Sequence, residues 1–151
     1  MKSLRILALT TLVLSFAPAL AAADFGVRAG RSNDTHENFV GIDLLYDLGS
    51  INVNPNLEYS LQDNVTAGSA NIDLTVDVIQ IAAFRPYVGA GVGLAYFDAD
   101  LGATDTNIVG NLIGGVAIDL PALKPYAQVK YARRLDHGNE DDFSFAVGLR
   151  F

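Results

Sequence analysis

The sequence contains no cysteine and no tryptophan, a single methionine and two histidines in 151 residues. Without thiols there is no disulfide, no thiolate metal site and no cysteine nucleophile, so packing and hydrogen bonding alone must hold the fold. Basic residues are scarce: 10 Lys and Arg face 17 Asp and Glu, a formal net charge of −7. That balance argues against nucleic acid or an anionic surface as a partner. His36 and His137 sit in polar stretches and in no metal-ligand spacing of the HExxH kind. Beyond residue 23 no apolar run is long enough for a membrane-spanning helix, so a membrane could be crossed only by strands.

The first 23 residues stand apart. MKSLR is basic, ILALTTLVLSF is apolar, and Pro18 leads into ALAAA. This layout predicts a secretory signal peptide cleaved at Ala23 or Ala21, and Pro18 and the alanines argue against a retained anchor. The chain therefore divides into a signal peptide, residues 1–23, and one domain, residues 24–151. Loss of Lys2 and Arg5 leaves that domain more acidic still.

Within the domain the hydrophobic period is two, the period of a strand. FSFAVGLRF puts Phe143, Phe145, Val147, Leu149 and Phe151 on one face and Ser144, Ala146, Gly148 and Arg150 on the other. DFGVRAGR, NFVGIDLLYDL, PNLEYSL, ANIDLTVDV, PYVGAGVGLAYF and PYAQVKYAR alternate in the same way, and NIVGNLIGGVAIDL does so less cleanly. Eight strands result. SNDTHE, QDNVTAGSA, DADLGATDT and LDHGNEDD are expected to be loops of about nine residues or fewer at one end, with tighter turns around LGS, IAAF and LPAL at the other. Each of Asn54-Pro55-Asn56, Arg85-Pro86-Tyr87 and Lys124-Pro125-Tyr126 is expected to open a strand, where a missing N–H is tolerated.

Eight up-and-down strands can close into a barrel with an interior just wide enough for side chains. The sizes of the two faces decide which points inward. The polar face is rich in Gly, Ala, Ser and Asn, while the other carries Leu, Ile, Val, Tyr and Phe. Small polar residues suit a cramped lumen, and an apolar exterior suits lipid. The prediction is an all-β, eight-stranded antiparallel transmembrane barrel whose last strand pairs with the first near Phe25, so that no edge is exposed. A soluble ligand-binding barrel is the rival. Without tryptophan, an interfacial girdle must rest on Tyr46, Tyr59, Tyr96, Tyr131, Phe143 and Phe151.

RPYVGAGVGLAYF resembles the fifth-strand segment of the small OmpA-like and opacity-type outer-membrane barrels, and FSFAVGLRF resembles the family's C-terminal barrel-assembly signal, carried by Phe143, Phe145, Val147, Leu149 and Phe151. The resemblance covers residues 24–151. It implies the outer membrane as location, lipid and lipopolysaccharide as surroundings, and the barrel-assembly machinery as a partner during biogenesis. Larger members add a peptidoglycan-binding domain; the residues here match only the barrel, so cell-wall anchoring is not implied.

The alternation places Asp43, Asp47, Glu58, Asp73 and Asp77 in the lumen with Arg28, Lys130 and Arg150. Charges in so narrow a space must be paired or wet. The expected role is a salt-bridge network that plugs a structural or surface-interaction barrel, monomeric by default; a narrow cation-preferring pore is the alternative. No cofactor is invoked. Ser144 and His137 are poorly spaced for a nucleophile and base, so no enzyme activity is expected. Asp98, Asp100 and Asp105, and Asp136, Glu140, Asp141 and Asp142, are read as solvated loop carboxylates without the EF-hand spacing.

Overall fold

The computed structural model describes residues 23–62, 65–99, 103–136 and 140–151. Residues 1–22 of the expected signal peptide, and also Asp100 and His137, lie outside the described residues. The chain forms β1 (Asp24–Ser32), β2 (Asn38–Asp47), β3 (Asn52–Ser60), β4 (Val65–Asp77), β5 (Phe84–Ala99), β6 (Ala103–Ile118), β7 (Lys124–Arg134) and β8 (Asp141–Arg150). Each strand pairs antiparallel with its neighbours in sequence, and the sheet closes on itself.

Closure joins β1 to β8 from Gly26↔Arg150 to Ser32↔Ser144. Below that ladder the Phe25 N–H donates to the Phe151 carbonyl at 3.1 Å, and the Phe151 N–H donates back at 2.9 Å. The two rings meet edge to face at 5.5 Å. The last strand thus has a partner on each side, β1 and β7.

Two-residue alternation sets the rest. On β4, Ile72 and Leu74 are exposed, whereas Asn71 and Asp73, which alternate with them, are buried. The same inversion holds on β6, where Leu112 faces out at 61% exposure and Asn111 faces in at 3%. The exterior is aliphatic and aromatic and the interior is polar, the reverse of a soluble ligand-binding barrel. NIVGNLIGGVAI lies in β6, at 16 residues as long as any strand in the fold, and Asp119 and Leu120 fall beyond its end. Its outer face is Ile108, Leu112, Val116 and Ile118, interrupted by Gly110 and Gly114.

Several loop boundaries differ from expectation. Val65 to Ala70 belong to β4, and the β5–β6 ladder runs to Ala99↔Ala103. Asp98 is therefore on β5 and Asp105 on β6, while Asp141 and Asp142 open β8. The residues TAGSA and DTN are small or polar on both faces, so they carry no hydrophobic alternation, yet the backbone ladder continues through them.

Pro55 also departs from expectation: it lies inside β3 rather than opening it. Opposite Pro55 the β2–β3 ladder lapses between Asp43↔Asn56 and Tyr46↔Val53, because proline has no N–H to give. The side-chain amide of Asn54 donates to the Leu44 carbonyl at 2.7 Å and fills that gap. Pro86 and Pro125 sit near the starts of β5 and β7, as expected.

Candidate functional site: a filled lumen

The sequence-predicted lumen residues fall into four groups. Nearest the turn end, Arg85 donates to Asp77 at 2.6 Å and stands 3.5 Å from Asp119. Asp47 lies on this rim, 3.9 Å from Arg85, and its side chain is 57% exposed. It is a mouth residue rather than a lumen residue, since β2 ends there. Asn52 donates to Asp77 at 3.4 Å.

Above the rim, Asp43 accepts from Arg150 Nη2 at 2.6 Å and Nε at 3.0 Å. It also accepts from the Asn54 amide at 3.1 Å and the Tyr126 hydroxyl at 3.2 Å. Arg150 stacks over the Tyr126 ring, 3.9 Å from its centre. Beside this cluster the Tyr87 hydroxyl donates to Gln128 at 3.1 Å.

In the middle of the lumen, Asp73 departs from expectation, because no cation pairs with it among the described residues. Its oxygens accept from Asn56 at 2.7 Å and Asn111 at 3.1 Å. Asn71 bridges the cluster, donating to Asn56 at 3.0 Å and accepting from Asn111 at 3.1 Å. Carboxamides thus do here what a base was expected to do.

Toward the loops, Glu58 takes two cations: Lys130 at 2.6 Å and Arg28 at 3.2 Å. Ser69 donates to it as well. Arg28 is buried and meets Glu58 as an ion pair, without a hydrogen bond in good geometry. Arg150 alone neutralises Asp43, whereas Arg28 shares Glu58 with Lys130.

Five of the lumen residues sit against a glycine. A Cβ on Gly26 would fall 1.8 Å from Asp43 Oδ1, one on Gly91 2.0 Å from Asp73 Oδ1, and one on Gly93 2.0 Å from Asn71 Oδ1. A Cβ on Gly115 would fall 2.4 Å from Tyr87, and one on Gly148 2.4 Å from Tyr126. Each of these glycines is paired in register with that residue, so the inward glycines are sockets over which side chains of the neighbouring strand lie. At the turn end lies a cavity of about 20 Å³, room for a single water. At the loop end a vestibule of about 640 Å³ opens above the filled section, with Lys130, Asn71 and Asn111 among its lining residues.

Sequence reasoning missed Arg85, Tyr87, Tyr126, Asn54 and the asparagine cluster. Parity with Gly89, Gly91 and Gly93 placed Tyr87 inward, and parity with Lys130 placed Tyr126 inward; their attachment to proline drew attention to turns instead. Among the described residues no three metal-ligating side chains converge on a metal site. His36 is an exposed loop residue with φ 61, and Ser144 is buried opposite Lys130. The expected assembly residues Phe143, Phe145, Val147, Leu149 and Phe151 all lie on the outer wall or just below it.

A closed eight-stranded antiparallel barrel, apolar outside and polar inside, has the architecture of the small transmembrane barrels of outer membranes. The solved structures similar to this chain are of that kind. The N-terminal β-barrel domain of Pseudomonas aeruginosa OprF superposes with a TM-score of 0.69 at 16% identity, covering 85% of this chain and 96% of that one. Neisserial surface protein A gives 0.65 at 17% identity, covering 85% and 92%. The outer-membrane enzyme PagL gives 0.60 at 12% identity, covering 85% and 99%. At these identities the likeness concerns the fold. No protein-family model matches the sequence, and no curated protein matches it.

Proposed function

We propose that the chain is an integral outer-membrane barrel with a structural or surface-interaction role and a lumen closed to solutes, not a catalyst. The hydrogen bonds that cross the interior carry this reading. A channel keeps its lining away from the opposite wall, but here Asp43 on β2 is bonded to Tyr126 on β7 and Arg150 on β8, Asp73 on β4 to Asn111 on β6, and Tyr87 on β5 to Gln128 on β7, each between strands that are not neighbours. The carboxylates they bring are compensated by Arg150 or by carboxamides, so the filling is also electrostatically settled. The outer wall from Phe143 to Phe151 serves both lipid contact and, in this reading, recognition by the assembly machinery. Reconstituted protein should resist extraction by urea and leave vesicles impermeable to small sugars. Release of the protein by urea would defeat the membrane reading; swelling in isotonic sugar would defeat the closed lumen.

A further inference from the structure

The two ends of the barrel are built from different residues. The loop end is mostly polar and acidic, with Leu61 and Leu135 its exposed aliphatics outside the strands among the described residues, whereas each of the three turns carries a pair of exposed aliphatic side chains. Leu48 and Ile51 flank the first turn, Ile79 and Ile81 the second, and Leu120 and Leu123 the third. They form a crown that continues the lipid-facing wall: on β4 the outward series Ile72, Leu74 and Val76 runs on through Val78. We infer that this crown is sunk into the membrane, at the boundary of phospholipid headgroups and acyl chains, so that the turn end ends within the lipid. The inference rests on the membrane-barrel reading above.

Three observations support it beside the apolar character. The first is span along the closing strand. From Phe143 to Phe151, eight residue steps at ~3.4 Å and a ~40° tilt rise about 21 Å, short of the ~25 Å apolar band of such barrels. Beside β8 the turns complete the band, while the longer β5 covers it alone. The second is backbone satisfaction, which lipid demands. Leu48 N–H donates to the Ile51 carbonyl, Ile81 and Phe84 exchange bonds at 3.0 and 2.9 Å, Val78 N–H donates to Pro86, and Asp119 N–H donates to Ala83 at 2.7 Å. The third is charge. Arg85 is tied to Asp77 and Asp119, and Lys124 to Asp24 at 2.6 Å, so the bases of this end are neutralised at the mouth.

The aromatic residues agree. At the loop end the outward aromatics include Tyr59, Tyr96 and Tyr131, whose hydroxyls suit a wet interface. At the turn end they are Phe25, Phe84 and Phe151 with Tyr46, so the wet boundary lies farther out, at the turns.

Because the chain has no tryptophan, single introduced tryptophans report without background. The test refolds Ile81→Trp and Leu48→Trp separately into phosphatidylcholine vesicles, with Val92→Trp at mid-wall as control. Expected are blue-shifted emission at both crown positions, quenching by lipids brominated on the acyl chain, and protection from acrylamide. A crown tryptophan quenched by acrylamide and untouched by brominated lipid, with Val92→Trp quenched by lipid, overturns the inference and leaves the turns open to an apolar protein partner. If Val92→Trp too escapes the brominated lipid, the membrane reading itself falls, and this inference with it. Leu48 is 70% exposed, so that substitution meets no packing obstacle if Ile81→Trp fails to fold.

Discussion

Removing Arg150 separates the two lumen ion pairs energetically. In Arg150→Met, Asp43 stays buried and keeps only neutral donors, the Asn54 amide and the Tyr126 hydroxyl. Breaking one side of a buried pair costs about 3–5 kcal/mol, and the lost stacking over Tyr126 adds about 0.5–2 kcal/mol. Lys130→Met is milder, because Glu58 keeps Arg28 at 3.2 Å and Ser69. The loss of one charge-assisted hydrogen bond there is worth about 1.5–3 kcal/mol. Urea unfolding in detergent micelles, followed by tyrosine fluorescence, should therefore rank parent, Lys130→Met and Arg150→Met in falling stability. Asp43→Asn combined with Arg150→Met removes the stranded charge and should recover part of the deficit. Equal losses in the two single variants, or an Arg150→Met barrel within about 0.5 kcal/mol of the parent, would refute the assignment of Asp43 to one cation and Glu58 to two.

Other substitutions probe the sockets and the strand repair. Gly91→Ala places a methyl 2.0 Å from Asp73 Oδ1 and 2.7 Å from the Ile72 carbonyl, and should cost about 1–3 kcal/mol or prevent refolding, read by heat-modified gel mobility. Gly49→Ala meets open space but a φ of 90°, so its cost of about 1–2 kcal/mol should be purely conformational and leave the lumen unchanged. Asn54→Leu removes the donors to both the Leu44 carbonyl and Asp43, each worth about 1–3 kcal/mol when buried. It should speed amide exchange along the β2–β3 pair more than along β7–β8, measured by hydrogen–deuterium exchange.

Much of this fold was legible in the sequence because a period of two is a strong signal when one face meets lipid and the other a narrow interior. Ile72, Leu74 and Val76 against Asn71, Asp73 and Thr75 leave little choice of face. The signal fades where both faces are polar. The beginnings of β4 and β6 lie toward the loops, and there hydrogen bonding rather than hydrophobic pattern extends the strands. Which residues enter the lumen followed from parity, but their pairing did not. Asp73 and Asp77 share one face of β4, with Thr75 between them, yet one finds carboxamides and the other finds Arg85 on the adjacent strand. Register and side-chain reach decide that, and neither is written in a single strand. The closure near Phe25 was accessible because β8 is apolar over its whole outer face.

The central claim is that side chains seated in glycine sockets and bonded across the interior close the lumen, and planar-bilayer conductance tests it most directly. The refolded parent should be silent under voltage, while the double variant Tyr87→Ala, Tyr126→Ala, which empties the sockets at Gly115 and Gly148, should show discrete openings. Discrete openings from the parent, shifted when Asp73 and Asp77 become Asn, would instead make the barrel a carboxylate-lined pore and contradict the account.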